Sequence, residues 1–116
     1  MEPGAVELGG GFTRFELRKR FHGDLEGSGS GIMLSAGDPA TGSAGYIAAE
    51  VVSGSLAGRA GTFAMVQLGL MDAGAQHLQY RIVPGSGEGD LAGISGELHL
   101  SIDDDGTHRY ELHYEV

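Results

Sequence analysis

Glycine occurs throughout this chain, and its distribution limits the possible folds more than any other feature. Of the 116 residues, 22 are glycine, compared with about 7% in an average protein. A glycine inside a helix costs about 1 kcal/mol relative to alanine. Because no twelve-residue window combines helical spacing of apolar groups with freedom from glycine, the sequence argues against a helical fold and favours strands and turns.

Apolar and polar residues alternate with a period of two, which is typical of strands with one buried face. In residues 14–26 the even positions are charged or His, and Lys19 is the exception among the mostly apolar odd positions. This pattern predicts one long strand, bent at Gly23. Residues 43–53 read as a strand that is apolar on both faces, and the run 27–31 is interpreted as a bend or bulge.

The C-terminal hairpin has a register that can be deduced from parity. Apolar residues are even-numbered on both strands, and opposed residues share a face. A three-residue loop, Asp104-Asp105-Gly106, with a left-handed glycine preserves this parity. It places Leu98 opposite Leu112, Leu100 opposite Tyr110, His99 opposite Glu111 and Glu97 opposite His113. We expect the Leu and Tyr side chains of this set to be buried and the two His side chains to point outward.

A second hairpin is centred on Asp72-Ala73-Gly74. A loop of the same length predicts that one face holds Leu68 opposite Leu78, Val66 opposite Tyr80 and Ala64 opposite Ile82. The other face would then carry a mixed set that includes Phe63, Met65, Gln67 and Arg81. Exposed Phe and Met side chains on that face would suit a contact between subunits of a homo-oligomer.

Seven or eight strands with short connections favour a closed sheet, since closure removes exposed edges. The predicted fold is therefore all-β, a single closed antiparallel barrel of about eight strands. Residues 1–116 form one domain in this prediction, with a loosely ordered N-terminal segment over residues 1–11. Such a barrel has room either for packed side chains or for one small ligand.

Charge and cysteine content exclude several classes of function. The formal net charge of −9 argues against binding to nucleic acid or to anionic membrane surfaces. The absence of cysteine excludes disulfides and thiolate metal sites. The start, Met1-Glu2-Pro3-Gly4, lacks the regions of a secretory signal, so we expect a cytoplasmic protein.

Three segments resemble a bacterial family of small proteins of unknown function. They are Gly54–Phe63, Val83–Gly96 and His108–Tyr114, supported by Phe21–Gly27 and by the Tyr46…Glu50 pair. The resemblance implies an eight-stranded barrel similar to allene oxide cyclase, a calycin-like architecture whose members include cyclases and isomerases of apolar molecules. The family pattern commonly has His where this chain has Gln67, and an amide cannot serve as an acid or base near neutral pH.

Glu50 is the titratable residue that is the strongest candidate for a chemical role. It lies in the apolar segment 46–52, where burial would raise the pKa of its carboxyl and suit a general acid or base. The competing interpretation is an ion pair with Arg59, Arg81 or Lys19 that only joins strands. The candidate catalytic residue is Glu50, and the candidate ligand-binding residues are Tyr46, Tyr80, Tyr110, Gln67 and Arg59.

A metal site is the weaker interpretation of the histidines. His99 and His113, flanked by Glu97 and Glu111, offer ligand types that suit zinc. The predicted register places all four on the wet outer face, where Glu and His are ordinary cross-strand partners. No metal and no cofactor are therefore predicted.

Three hypotheses for the function follow from these observations. The first is a binding module that encloses one small, mostly apolar molecule. The second is a cyclase or isomerase in which Glu50 transfers a proton and the cavity orients the substrate. The third is a packed structural barrel that acts by oligomerising. We expect the first of these.

Overall fold

The chain folds almost entirely into antiparallel strands in the computed structural model, which describes residues 2–8 and 11–116. The strands are β1 Glu2–Leu8, β2 Phe12–Phe21, β3 Leu25–Asp38, β4 Ser43–Leu56, β5 Arg59–Asp72, β6 Ala75–Ile82, β7 Glu88–Gly89, β8 Ser95–Ile102 and β9 His108–Glu115. Pro39–Thr41 form one 3-10 turn. Within these described ranges, no helix has the length and hydropathy to cross a membrane.

All nine strands belong to one sheet, which confirms the predicted all-β antiparallel class. The order along the sheet is β1-β2-β3-β4-β5-β6-β8-β9, and the short β7 pairs with β5. Among the described residues no backbone pairing joins β1 to β9, so the prediction of a closed barrel is corrected to a sheet whose ends are not hydrogen-bonded. Alternation of residues identifies the faces of strands, but it does not determine whether the end strands meet.

The segment predicted as one bent strand over residues 14–26 is a hairpin. Gly23 has φ +114° and lies in the turn that reverses the chain between β2 and β3, where its N–H donates to Glu26 at 3.0 Å. The glycine-rich run 27–31, predicted as a bend or bulge, is regular strand within β3 and pairs with both β2 and β4. Strand β4 covers the predicted strand 43–53 and extends three residues further.

The C-terminal register is confirmed at all four predicted pairs. Gly106 has φ +87°, and the Asp103 N–H donates to the Thr107 carbonyl at 2.9 Å, as expected for the three-residue loop. His99 and His113 are exposed, as predicted. Burial is less complete than predicted, because Leu98 is buried, Leu100 and Leu112 are half-buried, and Tyr110 is 48% exposed.

The predicted register between β5 and β6 is wrong by one residue. Asp72 pairs with Ala75, which leaves a two-residue turn of Ala73 and Gly74 with φ values of +49° and +83°. Both residues at positive φ define a type I′ turn. In this register Tyr80 lies opposite Gln67 and Ile82 opposite Met65. Phe63, Met65 and Gln67 therefore belong to the inner face with Tyr80 and Ile82, and the mixed outer face proposed as a subunit contact does not form.

The hydrophobic core fills one end of the inner face. Its buried members come from strands β2 to β6, from β8 and from the segment 90–94 between β7 and β8: Phe21, Leu25, Val52, Leu56, Phe63, Met65, Tyr80, Ile82, Leu91, Ile94 and Leu98. Leu91 and Ile94 are both 1% exposed. The loop 83–94 therefore covers this end, and the opposite end of the inner face stays open.

Candidate functional site

A cluster of three polar side chains lies among the apolar residues of the inner face. Glu50 on β4 is 4% exposed, and its Oε1 accepts hydrogen bonds from the Tyr80 hydroxyl and from Lys19 Nζ, the latter at 3.4 Å. Lys19 Nζ also donates to the Tyr80 hydroxyl at 3.0 Å and lies 4.9 Å from the centre of the Tyr80 ring. Strands β2, β4 and β6 are thus joined by one ionic and hydrogen-bonded contact.

Glycine on the neighbouring strand makes room for the Glu50 carboxylate. Gly29 of β3 lies opposite both Lys19 and Val52. A Cβ atom at Gly29 would lie 2.9 Å from Glu50 Oε2 and 3.2 Å from the Phe21 ring. Glu50 Oε2 is buried and has no hydrogen-bond partner among the described residues. Any larger residue at position 29 would therefore displace either the carboxylate or Phe21.

The electrostatics of Glu50 reflect two opposing effects. Burial raises the pKa of the carboxyl above its ordinary value of 4.5, and the charge and hydrogen bond of Lys19 lower it by a smaller amount. The Lys19 side chain is 22% exposed, so its ammonium group keeps some contact with water. Lys19 therefore offsets only part of the cost of burying the carboxylate, and the pKa of Glu50 stays above its ordinary value.

A cavity of about 580 Å³ occupies the open end of the inner face. Its apolar wall includes Phe15, Met33, Leu78 and Leu100, and its polar lining includes Thr13, Ser35, Tyr46 and Gln76. Tyr46 lies across Gly69 of β5, where a Cβ atom would come within 2.2 Å of the ring. Burial raises the pKa of Tyr46 above 10.0, so its hydroxyl is protonated at neutral pH and can donate to a ligand.

The cavity and the polar cluster are neighbours, but they do not coincide. On β4, Tyr46 lines the cavity, Glu50 belongs to the cluster, and Ala48 lies between them on the same face, opposite Gln67. Neither Glu50 nor Lys19 nor Tyr80 lines the cavity. The packed core surrounds the Glu50 carboxylate. The cavity begins beyond Ala48, at Tyr46 on the same face of β4.

The structure brings some of the predicted site residues together and separates others. Glu50 and Tyr80 are in contact, and Gln67 lies half-buried opposite Tyr80. Tyr46 lines the cavity. Tyr110 is exposed, with its ring 6.1 Å from that of Phe21 in an edge-to-face arrangement.

Of the three cations considered as partners of Glu50, Lys19 forms the contact. Arg81 pairs instead with Glu97 at 3.6 Å on the outer face, and Arg59 is exposed at the start of β5. The signal for Lys19 was present in the sequence, because it is the single charged residue on the apolar face of β2. The cavity residues of β2 and β3 gave no comparable signal.

The outer-face histidines lie side by side, and each contacts one carboxylate. The rings of His99 and His113 lie 4.5 Å apart, and each contacts a carboxylate on its own strand, Glu97 at 3.0 Å and Glu111 at 2.7 Å respectively. Within the part of the chain that the structure describes, no group of three or more His, Asp or Glu residues could hold a metal ion.

Comparison with known proteins places the chain in a family. A family model described as "Protein of unknown function (DUF3224)" matches residues 2–114. A solved structure of a DUF3224 protein of unknown function from Shewanella oneidensis MR-1 is 40% identical, with a TM-score of 0.86 over 97% of this chain and 87% of that one. No match was found among curated proteins. The chain belongs to the DUF3224 family, whose function is unknown.

Proposed function

We propose that the open end of the inner face binds one small, mostly apolar molecule. The observation that carries this proposal is the cavity of about 580 Å³, which falls within the range of about 300–1,000 Å³ for small-molecule sites. Leu78 at its edge is 39% exposed, and burying such a side chain under a ligand is favourable. A cytoplasmic location and a relation to the allene oxide cyclase barrels are parts of the same proposal.

Tyr46 is the residue that would orient the guest. Its ring lies across Gly69, so it is held against the wall, and its hydroxyl belongs to a lining that is otherwise mainly apolar. Ser35 and Thr13 lie in the same cross-strand row, opposite Tyr46 and Ser35 respectively. Three residues of this row thus contribute hydroxyl groups to the lining, which suits a ligand with a polar end and an apolar body.

Proton transfer by Glu50 is the alternative, and one observation favours it: the unpaired, buried Oε2 with a raised carboxyl pKa. Against it, Glu50 is held by Lys19 and Tyr80 and does not line the cavity. The geometry therefore supports binding better than an isomerase reaction. Glu50→Gln separates the two, because a binding protein keeps its affinity while an acid–base catalyst loses its rate.

Titration with a neutral fluorescent probe, N-phenyl-1-naphthylamine, tests the binding proposal. Ser35→Phe places a ring in the cavity and is expected to weaken probe binding at least about tenfold. Ala60→Phe adds the same ring at an exposed site of β5 and serves as the control. Circular dichroism confirms that each variant is folded. No binding by the wild type, or equal binding by both variants, would contradict the proposal.

A further inference from the structure

The outer face of the sheet carries an apolar surface at its centre. Six residues of β3, β4 and β5 are between 39% and 53% exposed there: Ile32, Ile47, Val51, Val66, Leu68 and Leu70. We call this set the outer apolar patch. A hollow of about 380 Å³ lies within it above Ala49, with Arg81 at one side. Soluble monomers rarely expose contiguous apolar patches of more than a few hundred Å².

The residues in and around the outer apolar patch are arranged so that two copies of this surface can face each other with complementary contacts. One cross-strand row runs through five strands in the order Glu16, Ile32, Ala49, Val66 and Arg81. Within these five strands the row has an acid at one side, a base at the other and apolar residues between them. It continues to Glu2 of β1 beside Glu16 and to Glu97 of β8 beside Arg81, which also pairs with Glu97 at 3.6 Å. A two-fold axis parallel to the strands and passing through Ala49 would place Glu16 opposite Arg81 of a second copy and Ile32 opposite its Val66.

The adjacent rows obey the same symmetry. Leu34, Ile47 and Leu68 form the centre of the next row, between Arg14 and Gln79. The axis would place Leu34 against Leu68 of the second copy and Ile47 against itself. The row on the other side has Val51 at its centre, which would also meet itself. The contacts near the axis are apolar except for Ser30, which would face Ala64 in the row of Val51. The contact of Glu16 with Arg81 pairs opposite signs, which suits a self-complementary interface.

The size of the face is also sufficient for association. Five strands at about 4.8 Å spacing and about eight residues at about 3.4 Å give a flat area of about 650 Å². The relief of the side chains adds to this area. A specific interface buries about 800 Å² on each partner. From the self-complementary row and this area we infer that the protein forms a two-fold dimer through the outer apolar patch, with Glu16 opposite Arg81 of the partner.

Sedimentation velocity of the full chain tests whether the outer apolar patch is the dimer interface. Val66→Glu places a charge in the centre of the patch and is expected to raise the dimer dissociation constant about 30-fold or more. Val116→Glu is the matched control, since Val116 is exposed to a similar degree outside the patch. A wild type that stays monomeric up to about 1 mM, or equal effects of the two variants, would overturn the inference.

Charge reversal tests the symmetry independently of the apolar contact. Glu16→Arg and Arg81→Glu each bring like charges together across the proposed axis, and we expect each to weaken the dimer about three- to tenfold. The double variant restores the opposite pair and should return the dissociation constant close to that of the wild type. Glu97→Gln removes the partner of Arg81 within its own chain and serves as the control. A double variant weaker than both single variants would overturn the arrangement.

Discussion

At the scale of single residues, the central feature is a buried carboxylate with one cation. The sequence indicated that Glu50 lies on an apolar strand and named Lys19 among three partners, but it could not choose between them. That choice depends on how β2, β4 and β6 are brought together, and no local pattern encodes this. The contact costs desolvation of Glu50, and Lys19 and Tyr80 offset part of this cost through hydrogen bonds to the same oxygen.

Lys19→Met is expected to lower the free energy of unfolding by about 2–4 kcal/mol at pH 7, because it leaves the Glu50 charge buried without a cation. The pKa of Glu50 then rises further, since Lys19 lowers it in the wild type. A raised pKa means that the folded state binds its proton more tightly than the unfolded state. The unfolding free energy of the variant therefore falls as pH rises from about 4.5 through the raised pKa.

Urea denaturation of Lys19→Met at a series of pH values measures this effect. Arg20→Met is the matched control, because Arg20 is the neighbouring cation on the exposed face of β2. Its removal should cost little at any pH. The interpretation of Lys19 fails if its loss costs the same at every pH, or no more than the loss of Arg20.

At the scale of strands and turns, parity and turn sequence predict the register correctly only where the turn has the conformation that its residues favour. The C-terminal register followed from parity because Gly106 supplies the left-handed position that a three-residue loop needs. The same reasoning failed at Asp72-Ala73-Gly74, because Ala73 adopts φ +49°, a conformation that alanine rarely takes. The observed register is favoured by burial, since it places Phe63 and Met65, each 1% exposed, on the same inner face as Tyr80 and Ile82.

Ala73→Asn is expected to raise the free energy of unfolding by about 0.5–1 kcal/mol. Asparagine tolerates the left-handed conformation better than alanine, and Asn-Gly is a favoured type I′ pair. Thermal unfolding followed by circular dichroism measures the change. Ala92→Asn, at an exposed turn residue that does not itself have a positive φ, should give no gain. A lower midpoint for Ala73→Asn would show that the strain at this turn is negligible.

At the scale of the whole molecule, the inner face is divided into a packed end and an open end. Alternation predicted which strand faces would be buried, but it could not predict this division. The packed end depends on Leu91 and Ile94, which reach the core from the segment between β7 and β8 rather than from a long strand. The inner glycines of β3 did not indicate the site either. The role of Gly29, which is to leave room for the Glu50 carboxylate, can be recognised only from the three-dimensional structure.

Leu91→Ala should lower the unfolding free energy by about 2–4 kcal/mol, as expected for a fully buried leucine, and should leave probe binding unchanged. Leu78→Ala, at the edge of the cavity, should do the reverse: weaken probe binding with a loss of stability below about 1 kcal/mol. Urea denaturation and probe titration of the two variants provide the measurements. If both variants changed both quantities alike, the two ends would not be independent.

The absence of backbone pairing between β1 and β9 in the described chain has a consequence for motion. The Phe21–Tyr110 contact brings the second and the last strand together through side chains, and rings can part without breaking a ladder of amide bonds. We therefore expect β9 to be able to separate from β2 while the pairing of the middle strands stays intact. In deuterium exchange, the outer amides of β9 should label early and those of β4 late, and a guest in the cavity should slow the labelling of β9.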